Sequence, residues 1–277
     1  MILPNKKDAI HKAWLYRALQ AIADDAYLAK VLYFKGGTCA SMLGWLDRFS
    51  VDLDFDFNGE EKEITKARKA LEDIFIRLGL EIKDKSKIGI QYFLKYKTNE
   101  ADRNILKIDV TFPLVKSSVY EPQRFLEIDR ILSCQTKETM FAHKLVAVLD
   151  RFEKTGGIAG RDIYDIHHFF LNGYDYNAEV IVERTGMSAG EYLVKLADFI
   201  EQKVTEKTLS EDLNTLLPYE EFTKIRKVLK REVLTLLKDE IARRNKSQQE
   251  LKKELEESQK EIKDGKGKIL KSFKDLR

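Results

Sequence analysis

The run Val51-Asp52-Leu53-Asp54-Phe55-Asp56-Phe57 alternates apolar and acidic side chains without a break over seven positions. Successive side chains of a strand point to opposite faces, so the run reads as a strand with one apolar face and one face of three carboxylates. Like charges in such close register destabilise a sheet unless something positive sits against them, and a bound divalent cation is the natural partner. A solvated acidic edge strand is the plainer alternative. A second run, Asn104 to Phe112, repeats the logic: Lys107, Asp109 and Thr111 share one face, and Asp109 adds a carboxylate on another strand. Hard oxygen ligands from two strands suit Mg2+, whereas neither run offers the His or Cys that zinc prefers.

Upstream, a strand leads through Lys35, Gly36, Gly37 and Thr38 into a short helix, an arrangement in which backbone N–H groups can hold a phosphate. The Walker A pattern and the dinucleotide-binding GxGxxG are both absent, which removes P-loop ATPases and Rossmann oxidoreductases from consideration.

With 277 residues, 43% of them hydrophobic, and only 4 Pro and 14 Gly, the chain can bury one large core or two modest ones. Strand-like runs at 31–34, 50–57, 89–96, 104–112 and 127–132 interleave with helical spacing over 5–30 and 60–78, with Gly79 placed as a helix stop. From Thr136 onward the periodicity is helical: 136–152, 161–171, 188–204 and one long helix over 219–264. The expected fold is therefore α/β (α+β): an N-terminal domain over 1–134 with a mixed sheet of four or five strands, then an all-α domain over 135–277 ending in a long charged helix and a basic tail. Residues 219–277 hold 18 basic against 12 acidic side chains, compatible with a polyanionic partner. Lys266, Lys268, Lys271 and Lys274 in the tail are candidate phosphate contacts. Cys39 and Cys134 match neither a disulfide framework nor a zinc motif, no apolar run is long enough to span a bilayer, and the first residues lack a signal-peptide core. A cytoplasmic protein with no membrane partner is expected.

Taken together, the Gly-Gly-Thr turn, the sequence Arg48-Phe49-Ser50-Val51-Asp52-Leu53-Asp54-Phe55 and the later Lys107-Ile108-Asp109 resemble the nucleotidyltransferase fold shared by polymerase β-like enzymes. The fuller pattern resembles the AbiEii/AbiGii-type toxins of bacterial abortive-infection and toxin–antitoxin systems. Its third motif is matched by Glu138 to Leu145, including Lys144, and its fourth by Gly160-Arg161-Asp162-Ile163-Tyr164-Asp165. The resemblance implies transfer of NMP from an NTP to an acceptor hydroxyl with release of pyrophosphate. Asp52, Asp54 and Asp109 would be metal ligands and catalytic groups, joined by Lys144 and Asp165. Gly36, Gly37, Thr38, Lys107, Lys144 and Arg161 would hold the nucleotide. It further implies the 3′ end of tRNA as acceptor and a cognate antitoxin as partner. Read without the family, Lys144 either snorkels to the surface or points into a cleft, Arg161 and Asp162 can cap a helix start, and Asp56 is solvated or paired with a cation. His167 and His168 read as packing or surface residues. Nucleotidylation of a small molecule or a protein, and a non-catalytic NTP-binding module, are the competing functions.

Overall fold

The computed structural model describes residues 1–98 and 103–263, apart from the side chain of Gln248. The chain opens with helix α1 (Asp8–Ala23) and a single turn, α2 (Leu28–Val31), then enters β1 (Leu32–Lys35), α3 (Gly36–Met42) and β2 (Asp52–Phe57). Helix α4 (Ile64–Leu78) follows, placing Ala67, Leu71, Ile74 and Phe75 on one buried stripe and ending at Gly79 in the left-handed region. Strands β3 (Glu81–Lys85), β4 (Ile90–Lys95), β5 (Ile105–Thr111), β6 (Tyr120–Phe125) and β7 (Arg130–Gln135) complete one mixed sheet of seven strands, ordered β3-β4-β5-β2-β1-β7-β6. The α+β class stands, with seven strands where four or five were expected.

The two strands missing from the sequence reading, β3 and β6, are the sheet's two edges. Strand β3 is almost wholly solvated and shows no apolar alternation. Strand β6 carries Pro122, which removes a ladder donor and is tolerated at an edge. The run expected as a strand at 127–132 is displaced: 126–129 form a hairpin turn with Asp129 at φ 49°, and β7 begins at Arg130.

Strand β2 sits near the middle of the sheet, antiparallel to β1 and parallel to β5. Leu53, Phe55 and Phe57 of β2 and Leu106, Ile108 and Val110 of β5 point into the core, which forces the intervening residues onto the opposite face. The helices that follow are α5 (Lys137–Thr155), α6 (Gly160–Leu171), α7 (Ala178–Thr185), α8 (Ala189–Lys203), α9 (Glu206–Leu213), α10 (Tyr219–Ile225) and α11 (Leu229–Lys263). The long C-terminal helix expected over 219–264 is thus broken by a turn at 226–228. Its first half packs through Val233 and Leu237, while Leu251, Leu255 and Ile262 are exposed, as in a solvated helix that touches its own domain intermittently. The expected phosphate contacts of the tail lie outside the described residues.

Candidate active site

The register of β2 against its neighbours builds the site. Asp54 stands beside Asp109 of β5 on one side and beside Lys35 of β1 on the other, and Gln91 of β4 stands beside Asp109. A transverse row Gln91–Asp109–Asp54–Lys35 therefore crosses four strands, with two carboxylates adjacent at its centre. One step along, Asp52 stands beside Lys107, and in the other direction Asp56 stands beside Thr111.

These residues meet different fates. Asp56 is buried and fully engaged, accepting from Lys35 Nζ at 2.6 Å, Gln135 Nε2 at 2.7 Å and the Tyr120 hydroxyl at 2.8 Å. Of the two sequence readings it takes the cation-paired one. Asp52, Asp54, Lys107 and Asp109 instead line a cleft of about 230 Å3 together with Gly37, Arg48, Ser50, Lys144, Arg151 and Arg161. Burial first and the neighbouring Asp52 carboxylate second push the Asp54 carboxyl up to about 6, despite Lys35 and Lys144. Burial also raises Asp52, against the pull of Lys107 and Arg161.

Glycine is required at the start of α3. Gly36 has φ +79°, and a Cβ there would lie 2.3 Å from Asp54 Oδ2, so only a residue without a side chain lets the turn press against the carboxylate. Thr38, expected to contact nucleotide, does not reach the cleft. It is fully buried and its hydroxyl donates to the Asp52 backbone carbonyl, tying α3 to the start of the carboxylate strand.

Asp165, expected as a catalytic group, lies beneath the cleft. It has no exposed surface, and Arg48 grips it with Nε at 2.5 Å and Nη2 at 2.7 Å while Lys144 Nζ approaches at 2.7 Å. Burial alone would raise its carboxyl, yet the two cations hold it down at about 2. The geometry makes it a positioning residue: two adjacent cations, each lining the cleft, are fixed on one carboxylate that a ligand cannot reach. Lys144 accordingly points inward, not to the surface. Arg161 lines the cleft from the first turn of α6 and pairs with Asp212 at 3.4 Å, and Asp162 takes Arg151 Nε at 3.0 Å. His167 pairs with Glu232 and His168 with Asp47, both away from the carboxylate row.

Sequence reasoning left Arg48, Ser50 and Arg151 out of the site. Arg48 stood in the Arg48-to-Phe55 motif as a visible signal, but its partner is 117 residues further along the chain. Arg151 lies seven residues past Lys144 on α5, two helical turns away on the same face.

A second, wider cavity of about 420 Å3 adjoins the first and shares Asp54, Asp109, Lys144, Arg151 and Asp162 with it. Among the described residues no group of three or more His, Cys, Asp or Glu side chains is arranged to hold a metal ion. The donor set nevertheless fits a hard divalent cation. It is all oxygen, it centres on a like-charged pair, and Lys107 Nζ lies 2.5 Å from Asp109 Oδ2, where an ammonium supplies part of the missing positive charge.

Comparison with known proteins decides the family. The nucleotidyl transferase AbiEii toxin family of type IV toxin–antitoxin systems matches residues 17–264. The chain belongs to that family. It is a nucleotidyltransferase, and NTP is its family's substrate class. Two solved structures show a partial similarity: JHP933 from Helicobacter pylori, at 19% identity over 89% of this chain and 100% of that one with a TM-score of 0.47, and an antigenic nucleotidyltransferase-like protein from Paracoccidioides brasiliensis, at 14% identity over 76% and 95% with a TM-score of 0.45. No curated protein matches the chain. No helix among the described residues is long and apolar enough to cross a membrane.

Proposed function

We propose that this AbiEii-family nucleotidyltransferase moves NMP from an NTP to the 3′ hydroxyl of a tRNA, arresting translation, and that a cognate antitoxin restrains it in the cytoplasm. The acceptor oxygen attacks the α-phosphorus, the bond from that phosphorus to the bridging oxygen of the β-phosphate breaks, and pyrophosphate leaves with the electron pair. The observation that supports this reading is the adjacent Asp54–Asp109 pair, with Asp54 held up to about 6 beside a cleft walled by cations. Two half-buried carboxylates side by side are a liability in an empty protein and an asset once counter-charge arrives with the substrate.

Asp52 and Asp54 would hold Mg2+, whose chemistry is to neutralise the triphosphate and the charge that develops on it. The other roles belong to side chains of the chain itself. Asp109 receives the proton of the acceptor hydroxyl, and Lys107, Lys144 and Arg161 bind the phosphates. Gly36 and Gly37 let the α3 turn come close to them. Asp165 and Arg48 set the position of Lys144. In this reading the sheet half, 1–134, carries the carboxylates and the helical half, 135–277, closes over the nucleotide. Since phosphoryl-type transfer needs mainly positioning and charge neutralisation, this set suffices without a covalent nucleophile.

The test is incubation of the protein with each NTP labelled at the α-phosphate, Mg2+, and either total tRNA, cell protein, a set of small polyols and aminoglycosides, or no acceptor. Label in tRNA is the expected outcome. Label in protein or small molecule moves the acceptor class, and no label with any acceptor contradicts the transfer reading.

A further inference from the structure

Helix α5 carries more cationic side chains along the cleft than NMP transfer to a small acceptor requires. Met140, Lys144, Ala147, Arg151 and Lys154 recur at alternating spacings of four and three residues, which puts them on one helical face, and all five line the wider cavity. The opposite face of the helix is core: Phe141, Leu145, Val148 and Leu149 are buried. The lining face is therefore a track whose inner end is at the carboxylates and whose outer end is at the rim. Lys144 shares its cavity with Asp54 and Asp109. Lys154, ten residues on, is exposed in the last turn, about 15 Å further along the axis at 1.5 Å per residue.

We propose that this face of α5 is the entry track for a single-stranded polynucleotide acceptor, with Arg151 and Lys154 contacting successive backbone phosphates as its 3′ end reaches Asp109. The inference rests on the transfer reading above. A small acceptor needs only the inner end of the track, whereas a strand presents a phosphate at every nucleotide and gains from a cation at each stage. The cations of the track are not equally committed. Lys144 is held by Asp165 and Arg151 by Asp162, while Lys154 has no partner among the described residues. Arg184 of α7 adds a guanidinium to the same wall, held against α5 by Asp150 and by a 2.9 Å bond to His143 Nδ1. Between Lys144 and Arg151 the half-buried Ala147 leaves a small apolar step, while Met140 is sunk in the core at the inner end. The smaller cavity differs in kind: Arg48, Lys107, Lys144 and Arg161 crowd about 230 Å3, a compact cage suited to a triphosphate, with Arg151 at the boundary between the two cavities.

The experiment measures binding of fluorescein-labelled single-stranded RNA and DNA of one sequence by anisotropy across a salt series, for wild type, Lys154→Glu and Lys252→Glu. Lys252 is an exposed lysine far along α11 and serves as the charge control. KM for NTP is measured in parallel. Lys154→Glu is expected to weaken both oligonucleotides about tenfold, to flatten the salt slope by about 0.7, and to leave KM for NTP alone, with Lys252→Glu near wild type. Equal effects of the two substitutions overturn the track. So does a loss of NTP affinity in place of oligonucleotide affinity, which would assign the wider cavity to the nucleotide. Because binding is read without turnover, the track stands or falls separately from the transfer reading, which fails only if the wild type labels no acceptor.

Discussion

Two carboxylates, Asp54 at the floor of the cleft and Asp165 sealed beneath it, are pushed in opposite directions by their surroundings. Asp54, on the central strand β2, is raised to about 6 by burial and by Asp52; Asp165, on α6, is held at about 2 because Arg48 and Lys144 outweigh its burial. One lines both cavities and lacks full compensation, and the other lines neither and is compensated twice. The difference separates a group kept available for a ligand from a group used up in holding others. Exposure separates them as well: Asp54 keeps some of its surface open to the cleft, Asp165 keeps none, and the sign of the shift follows the access.

The sharpest way to break this comparison is to neutralise each member. Asp54→Asn is expected to lower NMP transfer by at least about a thousandfold, roughly 4 kcal/mol of transition-state stabilisation. In the metal-free protein the same change removes a repulsion and should raise stability at pH 8 by roughly 1–3 kcal/mol, read as a higher midpoint of chemical denaturation. An active Asp54→Asn protein would reverse the assignment of the two carboxylates. Asp165→Asn should do the opposite to stability, costing about 3–5 kcal/mol, since it leaves the Arg48 guanidinium buried without its counter-charge. Replacing both partners, Arg48→Met with Asp165→Leu, should recover part of that loss in the denaturation midpoint while NTP binding stays impaired. A double variant no more stable than Asp165→Asn would show that the pair is not the source of the cost.

A smaller effect sharpens the comparison at its junction, Lys144, which touches Asp165 and lines both cavities. Lys144→Ala should weaken NTP binding about tenfold without loss of helix content, because Ala is the better helix former. Unchanged NTP affinity with lowered stability would place Lys144 wholly on the holding side.

The same contrast explains what could be read from the sequence. The Asp54 side is periodic: an unbroken two-residue alternation in β2 and its echo in β5 announce the strand, the face and the acids, because both strands lie inside the sheet and their apolar sides must be buried. The Asp165 side is not periodic in that sense. Arg48 sits in the connection between α3 and β2, and only the folded chain brings it to a helix 117 residues later. Family resemblance marked Asp165 as important, but its role under the cleft follows from burial and from the two cations on it. Thr38 shows the reverse failure: its place in a phosphate-loop pattern suggested a nucleotide contact, and its hydroxyl is spent on the Asp52 carbonyl. The edge strands β3 and β6 escaped notice because a solvated edge, one of them holding Pro122, need not carry the alternation that identifies an inner strand.

The central claim, that Asp54 is kept uncompensated for a cation-bearing substrate while Asp165 is permanently paired, is tested most directly by carboxyl NMR titration of 13C-labelled aspartates, with Asp54→Asn and Asp165→Asn supplying the assignments. In the metal-free protein Asp54 should titrate near 6, so that the folded state binds the extra proton and stability falls as pH rises from about 4 to about 6. Asp165 should remain ionised until the pH approaches about 2, its contribution present above the ordinary aspartate value and lost only below it. Adding Mg2+ should move the Asp54 midpoint down by a unit or more, with proton release at pH 6, and leave Asp165 where it was. An Asp54 that titrates near 4 and ignores Mg2+ would contradict the account.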